Sequence, residues 1–109
     1  MRAVNALPAV IEEHMEELRA LCEKYHVRRL TLFGSAVKGS FDPERSDLDF
    51  VVEFFQHPDP LVRGRRYLDL WRELKDLFDR NVDLLTPSTI DSPYIADSIR
   101  DAHRDLYAA

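Results

Sequence analysis

Two aspartates separated by a single residue, Asp47 and Asp49, stand in the run Ser46-Asp47-Leu48-Asp49-Phe50-Val51-Val52, and a third, Asp83, stands in Val82-Asp83-Leu84-Leu85. Leu48, Phe50, Val52 and Phe54 alternate with Asp47, Asp49, Val51 and Glu53, the pattern of a strand whose alternate side chains share a face, about 7 Å apart at the Cα atoms. Asp83 has apolar neighbours on both sides and is predicted to turn toward the same side as the pair. Carboxylates held roughly 5 Å apart repel by on the order of 3 kcal/mol per pair at an effective dielectric of about 20. Protonation relieves that conflict, and so does a divalent cation. An oxygen-only donor set without Cys or His suits Mg²⁺ better than Zn²⁺, and Mg²⁺ points to a substrate carrying phosphates. In two-metal phosphoryl transfer, Asp47 and Asp49 are expected to hold both ions and Asp83 to serve the attacking side. Taken alone, an Asp-X-Asp also fits two solvent-facing strand residues.

Gly34-Ser35 supplies a second element of the same chemistry. A glycine lets a phosphate approach the backbone, and Ser35 can cap a short helix starting at Ala36 while offering its hydroxyl and amide to an anion. The bland reading, a turn with an N-cap, fits the same two residues. Arg45 and Ser46, just before the aspartate pair, either steer phosphates or hold the strand end. Arg63, Arg65 and Arg66 read as the solvated start of a helix. His14, His26, His57 and His103 show no ligand spacing with one another or with Cys22.

These side chains need a scaffold. Over residues 8–25, Ile11, Met15, Leu18, Leu21, Cys22 and Tyr25 recur at helical spacing. Residues 27–33 read as a strand that delivers Gly34-Ser35, and Gly39, Ser40, Asp42 and Pro43 as turn chemistry. The prolines at 58 and 60 exclude a continuing central strand and mark a loop. Tyr67, Leu70, Trp71, Leu74, Leu77 and Phe78 trace a buried helix face, which favours core packing over stacking of Trp71, Tyr67 and Phe78 on a base. A short strand over 81–85 follows, then a last helix carrying Ile95, Ile99, Ala102 and Leu106. The order α-β-(short α)-β-α-β-α predicts an α/β (α+β) fold, a small mixed sheet flanked by helices.

Composition narrows the classes. A length of 109 residues is that of one domain, expected to span 1–109 without a separate acceptor-recognition domain. Hydrophobic residues at 45% and charged residues at 32% are those of a globular chain. The net charge of -5 argues against broad binding to nucleic acid. With one cysteine no intramolecular disulfide forms. No apolar run is long enough to span a membrane, and no signal-peptide pattern opens the chain, so a cytoplasmic setting is expected.

Taken together, Leu32-Phe33-Gly34-Ser35, Lys38-Gly39, the run 46–52 and Val82-Asp83-Leu84-Leu85 resemble the DNA polymerase β-like nucleotidyltransferase superfamily, and within it the minimal nucleotidyltransferases of prokaryotic toxin-antitoxin pairs. The resemblance implies that Gly34 and Ser35, with Lys38 and Ser46, bind the triphosphate of ATP, and that Asp47, Asp49 and Asp83 bind two Mg²⁺ ions and catalyse. It further implies an antitoxin that transfers AMP to a tyrosine hydroxyl of a HEPN-domain ribonuclease toxin and so neutralises it. A binding-only antitoxin and a small-molecule (antibiotic) nucleotidyltransferase are the alternatives. The chain departs from the family at Lys38, where arginine is common, which removes a planar fork for two phosphate oxygens. It departs again at Asp79-Arg80-Asn81, where relatives often place glycine, leaving Asn81 as the expected left-handed residue.

Overall fold

The computed structural model describes residues 7–39, 41–42 and 44–109, so Ser40 and Pro43 of the expected turn lie outside the described residues. The elements run α1 (Ala9–Glu12), α2 (Met15–Lys24), β1 (Val27–Phe33), α3 (Ser35–Lys38), β2 (Leu48–Phe54), α4 (Pro60–Phe78), β3 (Val82–Leu85), a 3-10 turn (Pro87–Thr89), α5 (Pro93–Asp101) and β4 (His103–Ala108). The sheet order is β3-β2-β1-β4. β1 runs antiparallel to both β2 and β4, whereas β2 and β3 are parallel. The expected mixed sheet with flanking helices is therefore the observed fold.

Two faces of this sheet have different fates. Leu30, Leu32, Leu48, Phe50, Val52, Val82 and Leu84 join Ile11, Leu18, Cys22, Leu70, Leu74 and Phe78 in one buried cluster. Phe50 and Phe78 stack within it, ring centroids 6.0 Å apart. The intervening residues, Thr31, Phe33, Asp49, Val51 and Asp83, fall on the opposite face by the two-residue period of a strand. The core thus takes one face and leaves the aspartates on the other.

α4 opens with Pro60 in its first turn and Asp59 accepting from the Leu61 amide at 2.9 Å, both common N-terminal devices. Arg63 donates to the His57 carbonyl at 2.6 Å and Arg66 to the Phe55 carbonyl at 3.2 Å. Two of the three arginines read as solvated thus secure the proline-containing connection. Glu73 ties α4 to α2, receiving the Tyr25 hydroxyl and Lys24 Nζ, the latter at 3.1 Å.

Three expectations change. The helix over 8–25 is two helices, because the chain turns at Glu13 and His14. There the His14 ring bonds the Val10 carbonyl at 2.8 Å and meets Phe78 edge-on at 5.7 Å. The left-handed residue after α4 is Asp79 (φ 49, ψ 48) and not Asn81. The last helix ends at Asp101: Ala102 is extended (φ -152, ψ 111), and Leu106 lies in β4, an edge strand anchored by Thr31 Oγ1 donating to Asp105 Oδ1 at 2.8 Å.

Candidate active site

Gly34 ends β1 at φ 78 and ψ -150, a backbone region open essentially to glycine alone. Its residue type is demanded twice, since a Cβ there would lie 2.3 Å from Asp49 Oδ2. The backbone of the turn therefore presses directly on the carboxylate. Gly34, and not Ser35, is the N-cap of α3: the Val37 and Lys38 amides both return to the Gly34 carbonyl at 3.0 Å, and Ser35 is the first helical residue. The opening amides of a helix have no intrahelical acceptor, and Ser35 carries the first of them, one residue after the Gly34 that meets Asp49.

Phe33, Asp49 and Asp83 form a row across three strands, Phe33 opposite Asp49 in the β1–β2 pairing and Asp49 opposite Asp83 in the β2–β3 pairing. Neighbouring strands lie about 4.8 Å apart, which brings the two carboxyls together. The Asp49 carboxyl is raised to about 7, first by partial burial, then by a hydrogen bond with Asp83, and then by the charges of Asp83 and Asp47. A carboxyl in that position holds a proton until a cation replaces it.

Asp47 is placed differently from its expected strand position. β2 begins at Leu48, so Asp47 is an exposed residue of the preceding connection. It borders a separate polar cleft of about 510 Å³ with Arg45, Lys75 and Arg80, while still acting on Asp49 through its charge. Among the described residues, no three His, Cys, Asp or Glu side chains already stand as a metal-holding group. The donor set nevertheless fits Mg²⁺, which takes a few carboxylates and fills its octahedron with water and substrate phosphate. Asp49 and Asp83 could hold such an ion directly, with Asp47 at the strand entrance.

Of the remaining expected site residues, Lys38 reaches across to Ser98 of α5, Nζ to Oγ 3.1 Å. Ser46 turns away: its Oγ accepts from the Asp42 amide at 2.8 Å, and its carbonyl lies 3.4 Å from Arg80 Nη1. It serves the loop that leads into β2.

A cleft of about 640 Å³ opens over the row, lined by Gly34, Asp49 and Asp83 together with Tyr67, Trp71 and Tyr94. Phe78 is buried as expected, but Tyr67 and Trp71 are only half-buried and show their rings to the cleft. Helical periodicity does not separate such boundary positions from core ones; the available signal is the polar tip that both residues carry. Tyr94 is 84% exposed at the mouth, and no spacing in the sequence ties it to the aspartates.

The family model for the nucleotidyltransferase domain matches residues 14–106. The Methanocaldococcus jannaschii protein MJ0128, provisionally named a protein adenylyltransferase, is 33% identical over 101 residues, 93% of this chain and 95% of that one. Protein adenylyltransferase MntA of Thermococcus cleftensis is 32% identical over 92 residues, covering 84% of this chain and 85% of that one. The structure of the tri-AMPylated Shewanella oneidensis HEPN toxin in complex with MNT antitoxin contains a chain of similar fold. Its TM-score is 0.54 at 19% identity, over 90% of this chain and 72% of that one.

Proposed function

The chain belongs to the nucleotidyltransferase domain family, and we propose that it is an antitoxin adenylyltransferase that moves AMP from ATP onto a tyrosine hydroxyl of a cognate HEPN ribonuclease toxin. Residues 1–109 act in this reading as one catalytic domain in a cytoplasmic setting. The observation that carries it is the row of Asp49 and Asp83 on adjacent strands, with a glycine turn pressed against Asp49. The names of MntA and of the HEPN toxin complex support the acceptor class.

Asp47, Asp49 and Asp83 would hold two Mg²⁺ ions. When bound, these neutralise triphosphate charge and activate the attacking oxygen. Gly34 leaves room for the Asp49 carboxylate to lie against the turn, and Ser35, the next residue, would offer its amide and hydroxyl to the triphosphate. Lys38, on the next turn, brings a positive charge to the cleft edge. Asp83, on the edge strand β3, would serve the attacking side.

The test incubates the protein with Mg²⁺, labelled ATP and a candidate HEPN partner. Labelled HEPN protein is expected, with the label lost for Asp49→Asn and Asp83→Asn variants that remain folded. Equal labelling by those variants would sink the mechanism, and toxin neutralisation without nucleotide would leave a binding-only antitoxin.

A further inference from the structure

β3 is four residues long and stands at the sheet edge, with β2 as its one neighbouring strand. The strand that bears Asp83 is thus the element freest to yield to repulsion between the two carboxyls. On its outer side the Val82 carbonyl accepts from Trp71 Nε1 at 2.8 Å, and the Leu84 carbonyl accepts from the Tyr67 hydroxyl. These are the two residues that flank Asp83.

The match is geometric. Tyr67 and Trp71 are four residues apart on α4 and so stand on one face about 6 Å apart along the helix axis. Val82 and Leu84, two residues apart on a strand, present same-side carbonyls roughly 6.6 Å apart. Inward-facing backbone groups remain for β2, as in the Leu48 amide donating to the Asn81 carbonyl at 3.2 Å.

We infer that Tyr67 and Trp71 are positioning residues for Asp83: their two donors clamp the carbonyls on either side of it and hold its carboxyl in register with Asp49. This rests on the reading of the row as a nucleotidyl-transfer site. The Tyr67 hydroxyl is raised above its usual range, by burial and then by the Asp83 charge, so it remains a donor at neutral pH. The rings add little to such a clamp; the donors are what it requires.

The variants Tyr67→Phe and Trp71→Phe, and the two combined, keep a ring in place and remove the donors. Leu74→Val, a core change on the same helix, controls for lost stability. Three measurements separate the roles. In the double variant, amide hydrogen exchange is expected to quicken at Asp83 and Leu85, whose N–H groups face β2, while β1 amides keep their protection. Affinity for Mn²⁺ alone, read by electron paramagnetic resonance, is expected to fall roughly tenfold or more. In AMP transfer to the HEPN partner, kcat is expected to fall by roughly tenfold to a hundredfold, with KM for ATP within about twofold. Leu74→Val is expected to change none of the last two. Unaltered exchange at Asp83 with unaltered Mn²⁺ affinity would overturn the inference. A wild-type protein that transfers no AMP would overturn the functional reading instead, and selective exchange at β3 would still decide the clamp.

Discussion

At the scale of single residues, Gly34 and Asp49 constrain each other. A methyl group on residue 34 would require both a backbone conformation that side chains avoid and the volume held by Asp49 Oδ2. Gly34→Ala is expected to destabilise the fold by about 1–3 kcal/mol in denaturant titration and to abolish AMP transfer through displacement of Asp49. Asp49 itself makes stability depend on pH. Its carboxyl, at 3.8 in an unfolded reference and raised to about 7 in the fold, keeps the folded state more protonated than the unfolded one between those values. Stability of the metal-free protein therefore falls as pH rises from about 4 to about 7. Asp49→Asn, neutral throughout, is expected to stabilise the metal-free protein at about pH 8 and to change little at about pH 5, as read from unfolding midpoints. The chemistry at this scale was legible because it is local: a glycine, two aspartates in one short run and a third in a short apolar strand are all visible as neighbours in sequence. Asp47 was the exception. Alternation alone extended β2 by one residue, whereas pairing begins at Asp49 with β1 and at Leu48 with β3.

Among the elements, strong local periodicity was reliable and long-range pairing was not. The α4 residues Leu70, Leu74 and Phe78 are buried as their spacing predicts. Ile95, Ile99, Ala102 and Leu106 follow helical spacing more weakly, and the last belongs to a strand, because β1 offers an open edge and the chain turns back at Ala102 to fill it. Nothing near Leu106 in sequence announces a partner some seventy residues earlier, such as the Thr31 that holds Asp105. The end of α4 shows a further local compromise. Asp79 takes a left-handed backbone that favours glycine and places a negative charge where the helix dipole is also negative. Asp79→Gly is expected to raise stability by about 1 kcal/mol, measured by denaturant or thermal unfolding. A neutral or destabilising outcome would mean that the Asp79 side chain has a compensating partner.

For the molecule as a whole, the sheet divides the labour: one face is sealed against α2 and α4, and the other carries the carboxylates. Sealing extends to Cys22, whose thiol is wholly buried and raised to about 12 by that burial and then by the Glu23 charge. It is expected to resist alkylation at neutral pH until the protein is unfolded, so that mass spectrometry of labelled protein follows global unfolding. The open face behaves in the opposite manner, since a ligand that binds only the folded state adds to stability. Mg²⁺ is accordingly expected to raise the unfolding midpoint at about pH 8, above the raised value of Asp49, and to raise it much less in Asp83→Asn. Equal stabilisation of both proteins would place the ion elsewhere.

Trp71 is the one tryptophan of the chain. Its indole N–H is tied to β3, its ring borders the cleft, and Lys75 Nζ lies 4.1 Å from the ring centroid. Intrinsic fluorescence is therefore tuned by the very place where nucleotide, ion and acceptor would meet. The wild-type protein carries its own optical reporter, able to follow arrival at the carboxylates in real time without an attached dye.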